Sequence, residues 1–88
     1  MSDLEINFQK AIEYIKNLSQ DPSNEELLEL YGLYKQATLG NNNTNKPSIF
    51  NYKGLKKWQS WTSFKDITSD MAKTKYILLV QKLVNEYS

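Results

Sequence analysis

The chain has 88 residues, of which 40% are apolar and 12% aromatic, so it fits one folded domain and differs from disordered chains. Its net charge is +1 and all eleven basic residues are lysine, which argues against nucleic-acid binding because guanine readout favours arginine. Cysteine and histidine are absent, which excludes disulfides, zinc sites of the usual kind and the commonest general base.

The first predicted element is an amphipathic helix. The capping box Ser2-x-x-Glu5 predicts its start. Apolar residues then recur at three- and four-residue steps, as expected for one buried helical stripe: Leu4, Phe8, Ala11, Ile12 and Ile15. The Asp21-Pro22 pair ends the segment by about Ser19, because a residue before proline avoids the helical region.

A second helix is predicted from about Asn24 to Leu39. A second capping box, Ser23-x-x-Glu26, marks its start. Gly40 follows its last residue and is a typical C-terminal stop.

The second helix carries the most informative pattern. At about 100° per residue, its side chains divide into three sides. The apolar side has Leu27, Leu30 and Tyr34, and the adjoining side has Leu28, Tyr31 and Lys35. The solvent side has Glu25, Glu29 and Gln36. A phenol combines a flat apolar body with a polar tip, and an ammonium supplies point charge for a phosphate. The adjoining side is therefore a candidate anion-binding face.

Periodicity alone leaves two interpretations of this face open. A tyrosine at helical spacing more often packs in a core than binds a ligand, and a lysine beside it more often lies along the surface. Gly32 lies next to the face. Because it has no side chain, either a ligand or a neighbouring helix could approach closely there.

Residues 41–51 form the one long predicted connection. Their sequence, NNNTNKPSIFN, breaks both helical and strand patterns. A third helix is predicted from about Tyr52 to Ser63, with its apolar face formed by Leu55, Trp58 and Trp61.

The last predicted element is a fourth helix from about Ser69 to Tyr87. Thr68 is a suitable N-cap residue for it. A continuous apolar stripe follows at helical spacing: Ala72, Tyr76, Leu79, Val80, Leu83 and Tyr87.

The third helix has lysines and tryptophans in close sequence. Lys53 and Lys57 are i, i+4 neighbours, which form either a solvated basic edge or a pair separated by an anion. Trp58 and Trp61 could stack on nucleic-acid bases, but in so small a domain core packing is the favoured interpretation. No isolated carboxylate pair resembles an acid/base dyad, and no histidine can activate the serines, so catalysis is not expected.

Two segments carry a resemblance to a known family. Residues 31–40, YGLYKQATLG, resemble the Tyr-x-x-Tyr-Lys-Gln-Ala-Thr-x-Gly signature of acyl-CoA-binding proteins. Residues 52–61, YKGLKKWQSW, resemble that family's aromatic-Lys-x-x-x-Lys-Trp-x-x-Trp block. The similarity covers nearly the whole chain and includes Phe8, Lys16, Leu18, Pro22 and Tyr76.

The resemblance implies one acyl-CoA-binding domain over residues 1–88. Its implied fold is all-α, a four-helix bundle with up-down-down-up topology. Its implied function is to bind long-chain acyl-CoA esters as a carrier and buffer, with no enzymatic activity, cofactor or metal.

The resemblance also implies eight ligand-binding residues: Lys16, Leu28, Tyr31, Tyr34, Lys35, Lys53, Lys57 and Tyr76. Tyr31, Lys35 and Lys57 would hold the 3′-phosphate of CoA. Tyr76 would border the adenine, Lys16 would line the middle of the ligand and Lys53 would add charge at the rim. Leu28 would form apolar wall, as would Ile12, and Tyr34 would be partly structural.

Three departures from the family pattern affect these expectations. The long loop reads Thr44-Asn45-Lys46-Pro47-Ser48 where the family often has Thr-x-Arg-Pro-Gly. Asn51 stands in place of a usual aspartate. Ile12 and Leu55 are larger than the residues usual near the acyl groove, which would alter the preferred chain length in a direction that the sequence does not give.

The alternative to a carrier is a helical protein-interaction module whose aromatic residues contact a partner helix. Nucleic acid is not an expected partner. The N-terminus MSDLEINFQK is unlike a secretion signal, and no apolar run reaches membrane-spanning length. A cytoplasmic monomer without stable membrane insertion is therefore expected.

Overall fold

In the computed structural model, residues 1–87 are described, and Ser88, the last residue of the predicted domain, lies outside the described residues. Within residues 1–87 the chain forms four helices and no strand: α1 (Asp3–Lys16), α2 (Asn24–Leu39), α3 (Tyr52–Ser63) and α4 (Ser69–Tyr87). The predicted all-α, four-helix fold is confirmed. None of these helices is long and apolar enough to cross a membrane.

Helix α1 ends three residues before the predicted limit at Ser19. Its C-cap residue is Asn17, whose backbone N–H donates to the Tyr14 carbonyl. The Asn17 side-chain amide also donates to the Glu13 carbonyl, with Nδ2 2.9 Å from O. These two bonds satisfy carbonyls of the last turn. The helix therefore ends before it reaches the residues whose helical conformation Pro22 disfavours.

The helix starts use the predicted serine caps in two ways. At α2 the full capping box forms: Glu26 N donates to Ser23 Oγ at 3.2 Å and Ser23 N donates to Glu26 Oε1 at 2.9 Å. At α1 the predicted capping box is only half formed: Ser2 Oγ accepts from Glu5 N at 3.2 Å, but the Glu5 side chain does not accept from Ser2 N. The Glu5 carboxylate is turned to Lys73, 2.6 Å away on α4, and thereby ties α1 to α4.

Helix α2 is the centre of the packing. It contacts α3 on one side and α4 on another, while α1 packs on α4. The shared core is built from α1, α2 and α4, and its largest fully buried apolar side chains are Phe8, Leu33, Val80 and Leu83. Since α4 bridges α1 and α2, a groove can open between those two helices above the buried surface of α4.

Gly32 is where α2 and α3 come closest. A Cβ atom at this position would lie 2.5 Å from Ser60 Oγ and 2.8 Å from the Ser60 carbonyl oxygen. Ser60 Oγ in turn donates to the Leu28 carbonyl at 2.5 Å. The sequence left open whether a ligand or a neighbouring helix approaches Gly32. The close neighbour is helix α3.

The prediction that Gln36 faces solvent is wrong, because its side chain is only 1% exposed. Gln36 Nε2 donates to Asn41 Oδ1 and to the Ile67 carbonyl, both at 2.9 Å. Asn41 Oδ1 also accepts from Asp66 N at 2.8 Å. The turn between α3 and α4 thus covers the end of α2, which a helical wheel of α2 alone cannot show.

Both tryptophans of α3 hold the connection that follows α2. Trp61 Nε1 donates to the Gly40 carbonyl at 2.7 Å, and Trp58 Nε1 donates to the Thr44 carbonyl at 3.0 Å. Trp61 is buried. Core packing is therefore confirmed for Trp61, whereas Trp58 is half-buried and anchors the connection through its indole N–H.

We predict that Gly32→Ala destabilises the protein. The added methyl would overlap the Ser60 backbone, and overpacking of this kind costs about 1–3 kcal/mol, which exceeds the ~1 kcal/mol gained in helix propensity. Urea denaturation should show the loss, whereas Lys75→Ala on the exposed face of α4 should change stability by less than about 0.5 kcal/mol. An unchanged Gly32→Ala midpoint would contradict the tight α2–α3 contact.

We also predict that Glu26 makes stability depend on pH. The Ser23 backbone N–H and then the Tyr87 hydroxyl, which donates to Glu26 Oε1 at 2.7 Å, lower the pKa of Glu26 below its ordinary 4.5. Because the folded pKa is the lower one, this stabilisation is present above about pH 4.5 and is lost as pH falls through the folded value. Stability measured from pH 7 to 3 should therefore fall more steeply in the wild type than in Glu26→Gln.

The matched control for this pH effect is Glu29→Gln, also on α2. Glu29 is exposed, and its side chain has no hydrogen bond or ion pair within residues 1–87. The Glu29→Gln variant should follow the wild-type pH profile. If both variants changed the profile equally, the interactions of Glu26 would not be its cause.

Candidate functional site

Two adjoining depressions lie on α2. The α2–α3 cleft has a volume of about 640 Å³, and its lining includes Leu27, Leu28, Tyr31, Lys53, Lys56 and Lys57. The α1–α2 groove has a volume of about 280 Å³, and its lining includes Ile15, Leu27, Leu30, Tyr31, Tyr34 and Tyr76. Leu27 and Tyr31 belong to both linings, so the two depressions meet along one edge of α2.

Helical spacing explains why each wall has its own chemistry. On α2, residues three and four apart share a face, which places leucines beside Tyr31 along the whole edge. On α3 the same spacing puts Lys53, Lys56 and Lys57 on one side. The cleft therefore has the leucines and Tyr31 of α2 opposite a cationic wall on α3, with Asn24 and Glu25 in its lining at the start of α2. The long lysine stems can cover apolar surface while their ammoniums reach water.

Tyr31 is surrounded by positive charge. The Lys57 ammonium lies 5.3 Å from the centre of the Tyr31 ring, and the Lys35 ammonium lies 5.8 Å from it. The Lys35 ammonium is also 5.1 Å from the Trp61 ring. Cation–π attraction within about 6 Å stabilises such an arrangement, but it leaves the full charge available to an anion.

The lysines of this site have no carboxylate partners within residues 1–87. The ion pairs there join Lys16 to Glu13, Lys73 to Glu5 and Lys82 to Glu86. The four lysines at the α2–α3 interface take part in none of them: Lys35, Lys53, Lys56 and Lys57. Unpaired ammoniums gathered around one cleft favour an anionic ligand, and phosphate is a good match for lysine charge.

Two tyrosines of the α1–α2 groove, Tyr34 and Tyr76, belong to an aromatic cluster with the buried Phe8. Phe8 and Tyr76 meet edge to face with ring centres 5.2 Å apart, and Tyr34 lies 6.2 Å from Phe8 and 6.5 Å from Tyr76. Burial, with a smaller contribution from Tyr34, raises the pKa of Tyr76 to about 12. Tyr76 therefore stays a neutral phenol at physiological pH and offers an aromatic surface to the groove.

Comparison with known proteins identifies the family. The family described as "ACBP: Acyl CoA binding protein" matches residues 5–80. The chain belongs to the acyl-CoA-binding protein family. It is 43% identical to acyl-CoA-binding protein homolog 1 of Caenorhabditis elegans, covering 93% of this chain and 95% of the relative. It is 44% identical to the acyl-CoA-binding protein of Saccharomyces cerevisiae, covering 92% and 93% respectively.

A solved structure from the same family has the same fold. The crystal structure of Oryza sativa acyl-CoA-binding protein 2 superposes with a TM-score of 0.89 at 41% identity, covering 94% of this chain and 92% of that one. The predicted four-helix bundle of acyl-CoA-binding type is thereby confirmed.

The structure brings most of the predicted site residues of this family member together. Leu28, Tyr31, Lys53 and Lys57 line the α2–α3 cleft. Tyr34 and Tyr76 line the α1–α2 groove with Tyr31. Lys35 is half-buried beside Tyr31, so these seven residues form one continuous surface.

Two residues expected near the ligand lie apart from this surface. Lys16 is exposed at the end of α1 and pairs with Glu13 at 3.3 Å, outside the linings of both depressions. Ile12 packs against the core and lines neither depression. Ile15, one helical turn further along, takes the position at the groove.

Three residues of the surface were missed in the sequence reasoning about the site. Lys56 and Tyr52 line the cleft, and the Lys56 ammonium lies 5.4 Å from the Tyr52 ring. Leu27 lies where the cleft and groove meet and is partly exposed. The signal for Lys56 was available, since it is three residues from Lys53 and therefore on the same helical face.

Proposed function

We propose that this protein binds a long-chain acyl-CoA ester and carries it without chemical change. The observation that supports this most is the unpaired cationic edge around Tyr31, where an aromatic groove and an apolar cleft meet. The cationic edge thus lies between the aromatic groove and the leucine-lined cleft. A single ligand with a phosphate between an aromatic base and a long apolar chain suits this order of surfaces. Family membership supports the same ligand class.

The proposed placement assigns each part of the ligand to one surface. The 3′-phosphate lies at the shared edge with Tyr31, Lys35 and Lys57. The adenine lies over the α1–α2 groove against Tyr34 and Tyr76, whose aromatic rings suit a planar base. The acyl chain follows the leucine wall of the α2–α3 cleft, where the stems of Lys53 and Lys56 can cover it from the opposite side.

The energetics favour this division of roles. Each buried methylene contributes roughly 0.8 kcal/mol, so a dozen contribute on the order of 10 kcal/mol, from which ordering costs remove several kcal/mol. This apolar term supplies affinity but distinguishes acyl-CoA poorly from other lipids. The lysines add discrimination, because the phosphate end carries more negative charge than a fatty-acid carboxylate and gains more from them.

Binding without catalysis also fits the side chains of the site. Phenols, ammoniums and aliphatic groups make up most of the surface, with the carboxylates Asp21 and Glu25 and the amide Asn24 also in its lining, and no histidine or cysteine exists in the chain. The site therefore has the means to hold and orient an ester, while it lacks the usual nucleophile and general-base pairs.

The first test compares three ligands by titration calorimetry. A long-chain acyl-CoA should bind more tightly than CoA, which lacks the apolar chain, and more tightly than the free fatty acid, which lacks the phosphate end. If the free acid bound as tightly as acyl-CoA, the lysine edge would have no role in recognition and the proposed function would fail.

A second test removes one charge from the edge. Lys35→Ala or Lys57→Ala should weaken acyl-CoA binding by about 10- to 100-fold, because a charge-assisted contact contributes about 1.5–3 kcal/mol. Lys75→Ala, exposed on α4, is the matched control and should bind like the wild type. Equal losses for acyl-CoA and for a lipid without a head-group phosphate would indicate damage to the fold instead.

A further inference from the structure

The turn before α3 presents two large apolar side chains to solvent. Asn51 N donates to the Ser48 carbonyl at 2.9 Å, and Phe50 N donates to Ser48 Oγ at 3.1 Å. Ile49 and Phe50 occupy the centre of this turn and are 73% and 93% exposed. Asn51 also caps α3, since its Oδ1 accepts from the backbone N–H of Gly54 at 3.1 Å.

The apolar tip, defined as Ile49, Phe50 and Tyr52, is therefore held in place by a hydrogen-bonded turn and a helix cap. Tyr52 is 66% exposed and stands at the first position of α3. Single exposed apolar residues are ordinary on protein surfaces, whereas a cluster of them indicates an interaction site. A fixed turn lowers the entropic cost of placing such a cluster on a partner.

Lysines flank the tip in the sequence, and one of them lies against the Tyr52 ring. Lys46 precedes the turn, Lys53 follows Tyr52 directly, and the Lys56 ammonium lies 5.4 Å from the Tyr52 ring. Residues 30–65 contain six lysines and no acidic residue, a charge of +6. The remainder has five lysines and ten carboxylates, a charge of −5, so the net charge of +1 conceals a strongly basic middle segment.

We propose that the apolar tip docks this protein reversibly on an anionic lipid bilayer. Ile49 and Phe50 enter the head-group region, Tyr52 lies at the interface, and the neighbouring lysines contact anionic head groups. Membrane interfaces favour this combination of amphipathic aromatic rings and basic residues. The docking acts on the ligand-free protein and does not depend on the proposed carrier function.

Other partners suit the tip less well. Nucleic acid matches the lysines but gives no favourable place to isoleucine and phenylalanine in a fixed turn. A stable protein partner buries about 800 Å² on each side, whereas the tip offers only three side chains. A bilayer needs no complementary shape, and three apolar side chains with adjacent charge suffice for reversible binding.

The test is co-sedimentation of the ligand-free protein with vesicles of phosphatidylcholine alone or with added phosphatidylserine. The wild type should bind the anionic vesicles, and binding should weaken as salt increases. Ile49→Ser/Phe50→Ser should lower the partition coefficient by about tenfold or more. Lys46→Gln should lower it by about fivefold, the effect expected of one lysine near an anionic surface.

Two variants serve as matched controls. Leu78→Ser removes an apolar side chain that is 59% exposed on α4, a helix that does not contact α3. Lys75→Gln removes a lysine from the same helix. Both should bind anionic vesicles like the wild type, and circular dichroism should show that all variants keep their helical content.

A fluorescence measurement reports whether the tip enters the bilayer. In Phe50→Trp, brominated lipids should quench the added indole more strongly than they quench Trp58 and Trp61 in the wild type. Absence of vesicle binding, or equal losses in the tip and control variants, would overturn the proposal. The proposal would also be overturned if the Ile49→Ser/Phe50→Ser variant still bound anionic vesicles like the wild type. Charge alone would then explain the binding.

Discussion

The close contact between Gly32 and Ser60 determines the geometry of the site. It lets α3 approach the backbone of α2, where Ser60 donates to the Leu28 carbonyl. Lys57 is one turn before Ser60, and Tyr31 is the residue before Gly32. The same contact therefore brings the Lys57 ammonium to 5.3 Å from the Tyr31 ring, and a wider helix separation would draw the cationic wall away from the phenol.

The site holds together charges that repel one another. Lysines from α2 and α3 gather at one interface without carboxylate partners in residues 1–87, and aromatic rings offset only part of the repulsion. The carboxylates of Glu26 and Glu5 are used elsewhere, in the capping box of α2 and in the Glu5–Lys73 pair that ties α1 to α4. The core of α1, α2 and α4 thus supports an α2–α3 interface that becomes more stable when an anion binds to its lysines.

Much of the fold and part of the site could be predicted from the sequence. Helix bounds follow from local signals, so α2, α3 and α4 have the predicted limits. Gln36 was misplaced because its burial depends on a turn 31 residues further along the chain. Lys16 shares a motif position with the family, but its place in this fold depends on how α1 ends and on its pairing with Glu13. Local sequence patterns show neither which distant turn covers a residue nor which partner its side chain takes.

The tryptophans show why residue type alone is a weak guide to function. An indole next to lysines has the features of a nucleic-acid stacking surface, yet each indole N–H here donates to a carbonyl of the connection after α2. Those bonds hold residues 40–44 against α3. The connection then reaches the turn that caps α3, where Tyr52 and Lys53 begin the cleft wall. The tryptophans therefore serve the binding surface indirectly, because they fix the path of the chain that leads into it.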